Sequence, residues 1–121
     1  MNRADFEQLV DEAIESLPEE VLGWLDNVAI VVGGWPTPEQ LAQSGLRPGA
    51  LLFGLYVGVP KIQRGFTSGE IVPDKIVIFQ GPIERVYRTP AQIREQVRKT
   101  VLHEIGHHFG LDEGDLRAAG V

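Results

Sequence analysis

Residues 89–110 constrain the fold most, because they supply the start, the apolar face and the end of one long helix. Thr89 suits the N-cap, Pro90 suits the first helical position, and Gln92 stands where a capping box needs it. Apolar residues then recur at spacings of three and four: Ile93, Val97, Val101, Leu102, Ile105 and Phe109. Gly110 supplies the glycine at which helices commonly end. The pattern predicts a helix that packs one face on a core.

All 3 histidines of the chain, at positions 103, 107 and 108, fall in the last turns of this predicted helix. His103 and His107 project from one face roughly 40° apart, with Glu104 on its flank. In this H-E-x-x-H arrangement two imidazoles can share a divalent metal, while the carboxylate accepts a proton from an activated water. The alternative is a chance match on an ordinary amphipathic helix. His108 is expected to point away from that face, as a surface residue near the helix end.

Composition narrows the class of protein and its partners. A chain of 121 residues, with 43% hydrophobic and 23% charged residues, predicts a single globular domain over residues 1–121. The net charge of −6 disfavours a nucleic-acid or anionic-membrane partner, because either would favour a basic surface. The chain has no cysteine, which excludes disulfides and cysteine-ligated zinc. Without a signal-peptide pattern or a span-length apolar stretch, the sequence predicts a cytoplasmic protein.

Hydrophobic periodicity and turn residues predict the element order α-β-α-β-β-α, followed by a short terminal helix. The predicted helices span residues 6–17, 38–42, 90–109 and 113–119, and the predicted strands span residues 28–32, 51–59 and 75–80. Loops are expected at 61–69 and 81–87, the latter because Gly81-Pro82 breaks the third strand. This order fits the α+β class, with a small mixed sheet covered by helices and a long helix near the C-terminus.

The motif continues beyond five residues, as His103-Glu104-Ile105-Gly106-His107-His108-Phe109-Gly110-Leu111-Asp112-Glu113. This stretch resembles the long zincin signature H-E-x-x-H-x-x-G-x-x-(H/D), and segments 52–60 and 72–76 are similar to small bacterial zincin-like metallopeptidases. The resemblance covers the chain from about residue 27 onward. It implies a minimal zincin-like fold that binds Zn²⁺ and hydrolyses peptide bonds, with Glu104 as the general base. The implied partner is a peptide or protein substrate, added as an extended strand to a sheet edge.

The resemblance also implies a third metal ligand beyond the glycine, and it assigns that role to Glu113 beside His103 and His107. Asp112 and Asp115 are competing candidates because they lie in the same terminal turn. Asp112 has a second interpretation, as the N-cap of the short helix at 113–119, where a carboxylate favours the helix dipole.

The sequence departs from larger metzincins in two respects. Met1 is the only methionine, so their Met-turn is absent, and the short segment after Gly110 predicts a cleft with one wall. Such a cleft holds an extended peptide poorly unless a second subunit or another partner completes it. The alternative function is therefore a metal-binding regulatory or interaction protein with little or no proteolytic turnover. A metal-dependent nuclease is a further alternative, disfavoured by the negative charge and by Glu104.

Overall fold

The computed structural model describes residues 1–58 and 73–121, so the loop expected at 61–69 lies outside the described residues. In the described ranges the helices are α1 (Arg3–Glu15), α2 (Glu19–Trp24), α3 (Pro38–Gln43), α4 (Gln80–Val86), α5 (Pro90–Phe109) and α6 (Glu113–Ala118). The strands are β1 (Val28–Gly33), β2 (Gly54–Val57) and β3 (Asp74–Phe79). The predicted α+β class and the minimal zincin-like architecture, with its long helix near the C-terminus, are confirmed.

The three strands form a mixed sheet in the order β1-β3-β2. β1 runs parallel to β3, with Val28 opposite Asp74, and β2 runs antiparallel to it, with Gly54 opposite Ile78. The central position of β3 explains its composition, because residues 76–79 are all buried and all apolar. Among the strands of the described residues β2 lies at an edge of the sheet, and it also contacts helix α5.

The core lies where α1 and α5 pack together and where α5 crosses β2 and β3. Its most deeply buried apolar side chains come from several elements: Phe6, Val21, Ile76, Ile78, Ile83, Ile93, Val97, Val101 and Ile105. The predicted apolar stripe of α5 is therefore buried, except that Phe109 in the last turn is 50% exposed. Within the described ranges, no helix combines the length and apolar character that crossing a bilayer requires.

Two helices were not predicted from the sequence. Residues 81–87 were expected to form a loop, yet α4 begins at Gln80 directly after β3. Gly81-Pro82 does end the strand, but proline is tolerated in the first turn of a helix, where its missing N–H has no partner to lose. Ile83 is fully buried and anchors α4 to the core. The short helix α2 follows Pro18 and buries Val21, a pattern too brief to show periodicity.

β2 is shorter than the predicted strand at 51–59, because its partner β3 ends at Phe79 and turns into α4. The last ladder contact is the Phe79 N–H donating to the Phe53 carbonyl at 2.9 Å. Gly54 allows the start of β2 to lie close against α5. A Cβ at this position would stand 2.4 Å from Thr100 Cγ2, so only glycine fits without a shift.

Candidate metal centre

Both ends of α5 are fixed by local interactions that the sequence predicted. The Thr89 side chain accepts from the Gln92 N–H, and the Gln92 side chain accepts from the Thr89 N–H, which completes the capping box. Gly110 adopts the left-handed conformation with φ of 66°, and the Leu111 N–H donates to the Gly106 carbonyl at 2.7 Å. The turn that carries the histidines is therefore held by the αL cap rather than left to fray.

His103 and His107 lie on the same exposed side of α5, with ring centroids 6.3 Å apart. Both side chains line a cleft of about 670 Å³, together with Glu104 and His108. The structure thus brings together the two predicted imidazole ligands and the predicted general base. Their separation of one helical turn lets a single ion lie between the two rings.

Glu104 is half-buried between α5 and β2, and the backbone N–H of Tyr56 lies near enough to favour the charged form of its carboxylate. Burial raises the pKa of Glu104 above 4.5, while His103, the Tyr56 N–H and His107 act in the opposite direction. A raised pKa makes the carboxylate a better proton acceptor, because general bases work best when their pKa approaches the working pH.

His108 is exposed, as expected, but it does not point away from the other histidines. It lines the same cleft and stacks on Tyr56, with ring centroids 3.8 Å apart and an interplanar angle of 11°. The Tyr56 hydroxyl in turn donates to the Asp74 carboxylate at 2.7 Å. Tyr56 therefore links β2 to the end of α5, because its ring stacks on His108 and its backbone lies beside Glu104. Sequence reasoning missed Tyr56, and no local pattern marks it, since its partners lie far along the chain.

The structure does not place Glu113 with the two histidines. Glu113 is the first residue of α6, its side chain is 90% exposed, and it lies 3.5 Å from Arg117 in an ion pair. Asp112 caps α6, as its second interpretation predicted, because its carboxylate accepts from the Asp115 N–H at 2.8 Å. Asp115 accepts from the Asp112 N–H at 2.9 Å. Among residues 1–58 and 73–121, no three histidine or acidic side chains converge closely enough to hold a metal ion.

The donor set suits zinc in part. Two imidazoles one turn apart, facing an open cleft, are ligands that Zn²⁺ favours, and catalytic zinc sites keep one position open. The third protein ligand implied by the resemblance is the part that the described residues do not assemble. His103 and His107 therefore fit zinc as a pair, and the role of Glu113 stays a prediction.

The cleft has apolar and polar lining beyond the histidines. Leu46, Leu52 and Leu55 line it from the segments before and within β2, and Gln43 and Ser44 line it from the end of α3. The leucines were not predicted as site residues. Leu55 belongs to a strand, while Leu46 and Leu52 sit in irregular segments where no periodicity marks a face. An apolar side chain of a substrate has a place to pack beside the imidazoles.

Comparison with known proteins agrees with this geometry. Residues 25–121 match the family model described as zincin-like metallopeptidase. No curated protein matches the sequence. The family match includes both strands that border β3, the cleft-lining leucines, and the whole of α5 with its histidines. Because it spans well over half of the chain, the protein belongs to the zincin-like metallopeptidase family.

Proposed function

We propose that this protein is a zinc-dependent peptide hydrolase in which His103 and His107 hold the metal and Glu104 is the general base. One observation carries the proposal: a half-buried carboxylate with a raised pKa lines the same cleft as two exposed imidazoles one helical turn apart. Zinc binding is a general property of zincins, and the family match therefore supports Zn²⁺ as the cofactor. Bound there, Zn²⁺ supplies a Lewis acid that lowers the pKa of water toward ~7 and polarises a carbonyl.

The side chains of this chain have separate tasks in that reaction. Glu104 accepts a proton from the attacking water on a carboxylate oxygen and delivers it to the nitrogen of the leaving amine. The nearby Tyr56 N–H favours the charged form of that carboxylate, which is the form that accepts the proton. The leucines of the cleft pack against the substrate and exclude water from the reacting bond.

Peptide substrates follow from membership of a peptidase family, and the sheet suggests how they bind. β2 is the edge strand that borders the cleft, whereas β1 is the edge on the other side of β3. Because Phe53 pairs with Phe79 through a ladder hydrogen bond, the alternation of an antiparallel pair turns the main-chain groups of Gly54 and the Tyr56 carbonyl away from β3, whereas the Tyr56 N–H faces Glu104. We therefore assign β2 as the edge along which an extended substrate lies.

The competing function is metal binding without turnover, by a regulatory or interaction protein. It is favoured by the exposed, ion-paired position of Glu113, since a site with two protein ligands binds zinc less tightly than one with three. The two functions share the same histidines and differ only in whether Glu104 transfers a proton.

Zinc content and peptide cleavage, measured on the same preparations, test the proposal. Wild-type protein dialysed against zinc is expected to retain one equivalent by atomic emission and to cleave members of a broad peptide pool. His103→Ala and His107→Ala are expected to lose both properties. His108→Ala removes an imidazole from the same helix and is expected to retain zinc, which makes it the matched control. Full zinc occupancy in the His103→Ala/His107→Ala double variant would contradict the site, and zinc binding without any cleavage would favour the interaction protein.

A further inference from the structure

The metal-centre cleft is one end of a longer groove along α5. A second cavity, of about 380 Å³, shares Leu52, His103 and Glu104 with the cleft and extends it toward Gln96 and Lys99. A third cavity, of about 350 Å³, shares Gln96 and Lys99 with the second and continues to Tyr87 and Ala91. The three cavities are adjacent, because each shares lining residues with the next, and we call them together the α5 groove; its lining on α5 runs from Ala91 to His108.

The length of the α5 groove suits an extended peptide. Ala91 and His107 are separated by about 24 Å along the helix axis, at 1.5 Å per residue. An extended chain rises about 3.3 Å per residue, so the groove accommodates roughly seven residues. A substrate cleaved beside His103 and His107 therefore has several residues left to lie along the part of the groove that leads to Lys99.

Among the described residues that line the α5 groove, only Lys99 carries a permanent positive charge. It is exposed, and no carboxylate of residues 1–58 or 73–121 forms an ion pair with it. Glu95 also lines the groove, and its carboxylate lies 3.7 Å from the Arg98 guanidinium, which offsets its charge. Lys99 is four residues before His103, about 6 Å along the axis, which is the reach of one or two substrate residues from the reacting bond.

The other polar groups around Lys99 are already engaged. The Gln96 side-chain amide donates to Thr100 Oγ1 at 3.0 Å, and the Thr100 hydroxyl donates to the Gln96 carbonyl at 2.8 Å. Thr100 is buried against Gly54, so this part of the groove floor is closely packed. The ammonium group of Lys99 is consequently the charged group of this stretch that has no ion-pair partner among the described residues, because the Glu95 carboxylate is paired with Arg98.

From this arrangement we infer that Lys99 is a specificity-determining residue, which makes the α5 groove select extended peptides carrying a carboxylate one or two residues from the cleaved bond. The inference rests on the proposed function and names its substrate class. It also runs against the net charge of −6, which by itself would attract basic peptides. An exposed ion pair of this kind changes affinity roughly two- to fivefold and weakens with added salt.

The test uses a peptide library in which each of the three positions on either side of the cleaved bond carries Glu, Gln or Lys. Cleavage by the zinc-loaded protein is followed by mass spectrometry, and binding of the same fluorescent peptides to the metal-free protein is followed by polarisation. Wild type is expected to prefer Glu over Gln roughly two- to fivefold at one position. Lys99→Gln should remove that preference, and Lys99→Glu should reverse it in favour of Lys.

Arg94→Gln is the matched control, because it removes the same charge from a partly exposed residue of α5 that pairs with Glu12 of α1 and lies outside the groove. A Glu preference that survives Lys99→Gln, or that falls equally in Arg94→Gln, overturns the inference while cleavage upholds the proposed function. Lys99-dependent binding of Glu peptides without cleavage by any preparation upholds the inference and overturns the proposed function. If no peptide of the library is bound or cleaved by any preparation, both the inference and the proposed function are overturned.

Discussion

The two faces of α5 differ in burial and in the chemistry of their side chains, although they belong to one helix. The inner face is apolar and almost fully buried, with Ile93, Val97, Val101 and Ile105 each at most 1% exposed. The outer face carries His103 and His107, both exposed and both lining the cleft. Glu104 lies at the boundary between the two faces, where burial raises its pKa. Stability and chemistry can therefore be altered separately on this helix, and the boundary residues are where they meet.

The largest expected effect separates the two faces directly. Ile105→Ala removes a fully buried side chain and should cost about 2–5 kcal/mol of unfolding free energy. His103→Ala, two residues earlier and exposed, should change it by less than about 0.5 kcal/mol in the metal-free protein. Urea unfolding in the presence of a chelator measures both. Similar losses in the two variants would show that the outer face also carries stability.

A second prediction probes the boundary at Gly54. Gly54→Ala places a Cβ 2.4 Å from Thr100 Cγ2 and should cost about 1–3 kcal/mol through overpacking. Gly58→Ala is the control in the same segment, because the nearest atom among the described residues would be Asp74 Oδ1 at 3.9 Å. Thr100→Ser removes the clashing methyl, and the double variant should recover most of the lost stability. If Gly54→Ala unfolds at the same urea concentration as wild type, β2 and α5 have room for a methyl group between them, contrary to the 2.4 Å distance.

A third prediction compares the two acidic residues that follow α5. Asp112→Ala removes the reciprocal cap of α6 and should cost about 1 kcal/mol, whereas Glu113→Ala removes an exposed side chain and should be near neutral. Zinc titration of the same two variants examines the predicted ligand. Loss of zinc affinity in Glu113→Ala alone would support its role as third ligand, and loss in Asp112→Ala alone would transfer that role to Asp112.

The smallest expected effect concerns Glu104 and pH. Because burial raises the pKa of this carboxyl in the folded protein, the folded state holds its proton to a higher pH than the unfolded state does. The protonated Glu104 therefore contributes to the free energy of unfolding fully below pH 4.5, and this contribution is lost as the pH rises through the folded-state pKa. A glutamine at this position does not titrate, so the free energy of unfolding of the Glu104→Gln variant minus that of wild type should be larger at neutral pH than at a pH below 4.5. Urea unfolding of the metal-free proteins at both pH values gives the difference, and a constant or shrinking difference would contradict the assigned burial.

The sequence predicted the features that depend on neighbouring residues. The capping box at Thr89, the stop at Gly110 and the cap at Asp112 are local patterns, and each is present in the structure. Features that depend on distant partners were not predictable. Tyr56 meets Glu104, His108 and Asp74 only because β2 folds against α5 and β3, and nothing in residues 51–59 encodes those neighbours.

The helix α4 shows how a correct local inference led to a wrong structure. Gly81-Pro82 was correctly interpreted as the end of a strand, but the same residues also suit the first turn of a helix. The choice between loop and helix was made by tertiary contacts: the Trp35 ring lies where a Gly81 side chain would be, and Ile83 enters the core. A dipeptide pattern cannot distinguish these outcomes, because the deciding atoms lie outside it.

The central claim is that the outer face of α5 performs hydrolysis, and Glu104→Gln tests it most directly. The substitution keeps His103, His107 and the size of the side chain, and it removes only the proton acceptor. Cleavage rates of one library peptide, measured for wild type and Glu104→Gln at matched zinc occupancy, should differ by about 10²–10⁴. Equal rates in the two proteins would show that Glu104 is structural and that the cleft does not cleave peptides by the proposed route.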